Sequence, residues 1–155
     1  MPQLVKGGKY AFSWSKVGKN GRIVIPNEAI LEYNLKTNKN VILTPGSRRS
    51  GGFGLTNLGL LKNSPLAVVL EKNPQLSEYQ ISEGKALEIN GKTYCWVKLQ
   101  DDGSIIVPIE TLKRYGVNPG DCLLAVRGSN RAIGFPVRGP IIDEAKKHPE
   151  LELFE

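Results

Sequence analysis

The side chains best suited to chemistry in this chain are cationic. Lys16, Lys19 and Arg22 cluster around an Asn20-Gly21 pair, and Arg48-Arg49 stands inside the glycine- and serine-rich stretch 46–54. A lysine beside a tight turn can approach a phosphate without steric hindrance, and an arginine can pair bidentately with phosphate or with a guanine edge. The charge distribution points the same way. The net charge is +6, with 12 Lys and Arg against 6 acidic residues over residues 1–90, and 9 against 9 over residues 91–155. All of the excess therefore belongs to the first half, which predicts a polyanionic partner there, nucleic acid foremost. Lys9 joins this basic set on charge alone.

Other chemistries lack their residues. His148 is the single histidine and Cys95 and Cys122 are the only cysteines, so no Cys/His cluster offers a zinc site. Both cysteines sit in apolar runs and read as buried free thiols. Asp101-Asp102 alone are too few ligands for a hard cation. The 46–54 stretch looks superficially like a phosphate-cradling loop, but no lysine follows in register, and it reads as an inter-strand turn whose arginines still face phosphate. No nucleophile-base arrangement is present, so no enzymatic role and no cofactor are expected. The first residues lack a secretory apolar region, and no stretch reaches the roughly 18 apolar residues of a membrane span, which predicts a cytoplasmic protein.

The elements that must position the basic residues come twice. Residues 14–53 align with residues 96–135 without a gap, at an offset of 82 and with 12 identities in 40 positions. Trp14/Trp96, Gly21/Gly103, Ile23/Ile105, Pro26/Pro108, Tyr33/Tyr115 and Phe53/Phe135 are among them. Each copy predicts the same order. A short strand (14–17 or 96–99) leads to a turn at Asn20-Gly21 or Asp102-Gly103, where glycine supplies the positive φ of a tight hairpin. A β-branched return strand (23–25 or 105–107) ends at Pro26 or Pro108, which suits the first turn of a short helix. Gly116 reads as the left-handed cap of the second helix. Two more strands, at 41–44 and around Phe53, or at 122–126 and around Phe135, complete a β-β-α-β-β unit. Trp14 and Trp96, at equivalent positions, read as paired core residues rather than a base-stacking platform. Helical tails follow at 66–72 and 141–147, each ending near a proline, and residues 86–89 of the linker suggest an extra strand. Residues 1–76 thus form a first repeat with its tail, 77–91 a linker, and 92–155 a second repeat with its tail. A unit of this size cannot bury both faces of its sheet alone and needs its second copy.

The phrase Lys19-Asn20-Gly21-Arg22-Ile23-Val24-Ile25-Pro26 resembles the K-x-G-R-[IV]-x-[IL]-P opening of the AbrB/MazE/SpoVT superfamily. Tyr115-Gly116-Val117-Asn118-Pro119-Gly120-Asp121 resembles the L-G-[IV]-x-x-G-D phrase that follows the family's short helix. The resemblance covers residues 9–57 and 92–139. It implies a mainly-β fold with short helices, in which the tandem repeats form an intramolecular swapped-hairpin β-barrel. It also implies a DNA-binding transcriptional regulator whose first-hairpin cations Lys16, Lys19 and Arg22 meet duplex DNA, with Lys9, Arg48 and Arg49 added on charge grounds. The second copy departs from the pattern, since Lys19-Asn20-Gly21-Arg22 becomes Asp101-Asp102-Gly103-Ser104. One basic hairpin per chain predicts either a homo-oligomer, a dimer of pseudo-dimers, on symmetric DNA, or weakened or lost binding. The alternative is a protein-interaction or small-ligand module, antitoxin-like or otherwise, that keeps the fold without DNA binding.

Overall fold

The computed structural model describes residues 10–37 and 39–155. The first copy forms β1 (Ala11–Lys16), β2 (Arg22–Val24), α1 (Asn27–Glu32), β3 (Asn40–Pro45) and β4 (Phe53–Thr56). Three short helices follow, α2 (Leu58–Leu61), α3 (Leu66–Glu71) and α4 (Pro74–Ser77), then β5 (Leu87–Ile89). The second copy forms β6 (Lys92–Lys98), β7 (Ser104–Ile106), α5 (Ile109–Arg114), β8 (Cys122–Arg127) and β9 (Ile133–Phe135), and the chain continues into α6 (Pro140–Ala145) and β10 (Leu153–Phe154). The offset of 82 maps β2, α1 and β3 residue for residue onto β7, α5 and β8. Gly21 and Gly103 both have φ +84, as the hairpin turns require, and Gly116 has φ +74 at the end of α5. Pro26 and Pro108 stand at the N-caps of α1 and α5, one residue ahead of the first turn.

With 30% of residues in strands and 22% in helices, the fold is mainly β. Strands from the two copies alternate in pairing. β1 pairs with β8, β3 with β6, β4 with β9, and β2 with β7, all antiparallel. Eight strands form one mixed sheet in the order β10-β1-β8-β9-β4-β3-β6-β5, while β2 and β7 form a separate two-stranded ribbon. The sheet is open, and this corrects the expectation of a closed barrel. The outer edge of β1 is taken by β10, which runs parallel to it, and the outer edge of β6 by β5, so these strands have no free edge left to meet and close the sheet.

Alternation, interrupted in β1 by a bulge between Ala11 and Ser13, buries the sheet on both faces. Val41 and Leu43 of β3, Cys95 and Val97 of β6, and Leu123 and Ala125 of β8 point to a central core shared with Ile23 and Ile105 of the ribbon and with α1 and α5. The residues between them face outward. Leu124 and Val126 lie beneath α6, with Ile142 and Ala145. Ile42, Tyr94 and Trp96 lie beneath the α2–α4 segment, with Leu61, Leu70 and Leu76. Each tail is therefore a lid on the outer face of its half of the sheet. Trp14 and Trp96 do not pair, since each belongs to a different outer cluster. Cys95 is buried as expected, but Cys122, at the start of β8, is exposed.

Two register facts define the pseudo-twofold axis. Residues 82 apart stand directly opposite each other at Ile23↔Ile105 in the ribbon and at Phe53↔Phe135 in the sheet. The axis therefore enters through the β2–β7 ribbon, crosses the central core and leaves through β4–β9. The molecule has a hairpin pole and a sheet pole.

Candidate nucleic-acid interface

At the hairpin pole, β1 carries Lys16 to the edge of the sheet and the turn 17–21 carries Lys19 outward before β2 begins at Arg22. The turn is built by its own residues. Gly18 N–H donates to the Arg22 carbonyl at 2.8 Å, and Arg22 N–H donates to the Asn20 side-chain oxygen at 3.2 Å. A Cβ on Gly21 would lie 1.9 Å from the Val107 carbonyl oxygen, so the crossing of the two hairpins demands glycine there as much as the positive φ does. Lys16, Lys19 and Arg22 come together around one surface cleft of about 520 Å³, whose far side is Pro119, Gly120 and Glu155. Lys16 and Lys19 are exposed.

The second hairpin reaches the same pole and changes the electrostatics. Arg22 Nη2 donates to Asp102 Oδ2 at 3.0 Å, and Lys39 Nζ donates to Asp101 Oδ1 at 2.8 Å. The Ser104 hydroxyl first, and the Arg22 guanidinium second, hold the Asp102 carboxyl down at about 2. The hydrogen bond from Lys39 lowers Asp101 as well. Both pairs are open to water, with side-chain exposures of 37% and 56% for Arg22 and Asp102 and 64% and 93% for Lys39 and Asp101. Such pairs contribute little to stability, and a competing oxyanion can replace the carboxylate at small cost. Among the described residues, Lys16 and Lys19 have no ion-pair partner and Arg22 is paired with a neighbouring acid, while Glu155 adds a carboxylate to the same cleft.

The sequence-predicted residues divide between the poles. Arg48 and Arg49 lie exposed on the loop 46–52, at the far end of β3 from the hairpins, and do not join the hairpin set. Lys9 lies outside the described residues. Two participants escaped the sequence reading. Lys39, just ahead of β3, meets Asp101, a residue 62 positions away. Arg138, after β9, lies across the 46–52 loop, with Nη2 donating to the Arg48 carbonyl oxygen at 2.7 Å. Neither belongs to a repeated phrase, and only the interleaving of the copies brings them to these partners. Among the described residues no group of three or more His, Cys, Asp or Glu could hold a metal ion, and no helix is long and apolar enough to cross a membrane. No family model, no curated protein and no solved structure matches the chain.

Proposed function

We propose that the protein is a DNA-binding transcriptional regulator of the swapped-hairpin kind, related to the AbrB/MazE/SpoVT superfamily, that docks its first hairpin on duplex DNA. The observation that carries the reading is the convergence of Lys16, Lys19 and Arg22 on one exposed cleft at the pole where the two hairpins cross. Supporting it are the interleaved pairing of strands from the two copies and the concentration of excess positive charge in the first half. Lys16 and Lys19 meet phosphates, and Arg22 exchanges Asp102 for phosphate or a base edge as the duplex arrives. The acidic pair then acts as a built-in competitor that weakens non-specific binding. Because one chain offers a single basic hairpin, two chains serve a symmetric operator.

Titration of a labelled mixed-sequence duplex by fluorescence anisotropy tests the reading. With three phosphate contacts per chain and two chains per duplex, affinity falls about a thousandfold between roughly 50 and 200 mM salt, and some tens-fold if one chain binds alone. Absence of binding at the lower salt, or binding indifferent to salt, removes DNA as the partner and leaves the protein-interaction module.

A further inference from the structure

The sheet pole carries a second site that the DNA-docking hairpin does not use. Between the loops 46–52 and 128–132 lies a cleft of about 660 Å³, within the range of small-molecule sites. Its floor is unusual for a sheet. Gly54 and Gly134 are directly paired across β4 and β9 and give the floor no side chains of their own. Thr44 and Val126 flank it, with Thr44 Oγ1 2.8 Å and Val126 Cγ2 3.0 Å from where a Cβ would stand on Gly54 and Gly134. Val126 and Ile141 give the walls an apolar character, and no carboxylate lines the cleft.

The rim is cationic and its charge is unspent. Of the seven arginines, Arg22, Arg114 and Arg127 are ion-paired to Asp102, Glu88 and Glu32. Arg48, Arg49, Arg131 and Arg138 have no carboxylate partner among the described residues, and all four stand on loops around the sheet pole. Arg49 and Arg138 line the cleft itself. Arg138 is also held in place. Its Nη2 donates to the Arg48 carbonyl oxygen, and its backbone N–H donates to the Ser50 carbonyl oxygen at 3.1 Å. Gly51, at φ +63, makes room for it, since a Cβ there would stand 2.6 Å from Arg138 Nη1. One bond to Arg48 leaves most of the five guanidinium N–H groups available.

We propose that this cleft binds a small planar organic oxyanion, with its ring over the Gly54–Gly134 floor and its carboxylate, phosphate or sulfonate between Arg49 and Arg138. In a regulator, such a ligand would be the effector, since it sits across the core from the hairpins.

The charged probe 8-anilinonaphthalene-1-sulfonate and its uncharged counterpart N-phenyl-1-naphthylamine test the site on the full chain by fluorescence titration. The sulfonate saturates at one per chain and binds at least tenfold more tightly than the neutral probe. Arg49→Gln and Arg138→Gln each weaken the sulfonate by about tenfold or more, as expected for loss of a charged hydrogen-bonding partner, and leave the neutral probe unchanged. Arg49 is exposed and makes no side-chain hydrogen bond or ion pair among the described residues, so its variant remains informative if Arg138→Gln proves unstable. Lys19→Asp/Arg22→Ser keeps sulfonate binding at the wild-type level, which separates this site from the DNA reading. Equal binding of the two probes, or wild-type sulfonate affinity in Arg49→Gln, overturns the proposal.

Discussion

At the tip of the second hairpin, Asp102 accepts hydrogen bonds from the Ser104 backbone and hydroxyl and from Arg22. Its carboxyl stands at about 2 in the fold against an ordinary 3.8. An acid depressed on folding stabilises the folded state above its unfolded pKa, and that contribution is lost as pH falls from about 3.8 through about 2. The gap in urea midpoint between wild type and Asp102→Asn is therefore steady from roughly pH 7 to 5 and closes below about pH 4; a gap independent of pH contradicts the assignment. The same substitution has a second effect. Asn20 caps the equivalent turn in the first hairpin, so asparagine can preserve this turn while freeing Arg22, and Asp102→Asn strengthens DNA binding several-fold in the same anisotropy assay. The two thiols also differ. Burial pushes the Cys95 thiol up to about 12, whereas Cys122 is exposed. Intact-mass analysis after maleimide treatment of the native protein at pH 8 gives one adduct, on Cys122. Ser13, the counterpart of Cys95, is buried with a hydroxyl that makes no hydrogen bond among the described residues. Replacing it with cysteine, as the second copy has, raises stability by about 1 kcal/mol, or some 2–4 °C in Tm for a chain of this size.

Among the elements, the tails show how far local sequence reaches. Leu76 of α4 is fully buried over the outer face of β3 and β6. Leu76→Ala costs about 2–5 kcal/mol by denaturant unfolding if the tail is an integral layer; an unchanged midpoint would make it a loosely attached appendage. The turns at Gly21 and Gly103, α1 and α5, and β5 were legible, because Asn20-Gly21, Asp102-Gly103, Pro26, Pro108 and the run Ala86-Leu87-Glu88-Ile89 are local signals of turn, helix start and strand. The partners of the return strands were not, since β2 and β7 pair with each other and not with the strands that precede them. β10 was not. Its two residues pair with β1 through backbone contacts, Trp14↔Leu153 and Ser15↔Phe154, and nothing in their side chains announces an edge partner. The open sheet was missed for the same reason. Edge coverage by β10 and β5 is a property of pairing, and the repeats carry no trace of it. The exposure of Cys122 is a strand-end effect: it precedes Leu123, the first inward residue of β8, at the rim where β1 ends.

For the whole molecule, the asymmetry of charge read from the sequence is redistributed by the fold. The excess cations of the first half do not make one face, because the interleaved strands send Lys16, Lys19 and Arg22 to the hairpin pole and Arg48 and Arg49 to the sheet pole. The second copy's acids return to the first copy's cations as Arg22–Asp102 and Lys39–Asp101. Of the proposed site, the motif residues around Gly21 were therefore visible in sequence, while the competition at Asp102 and the role of Arg138 were not, since each depends on residues 80 and 90 positions apart. The most direct test locates the DNA face by comparing Lys19→Asp/Arg22→Ser, which writes the second hairpin onto the first, with Arg48→Gln/Arg49→Gln on the same labelled duplex at low salt. Loss of binding in the hairpin variant, with near wild-type binding in the loop variant, is the predicted result. Full binding by the hairpin variant and loss in the loop variant would contradict the account and move the DNA to the sheet pole.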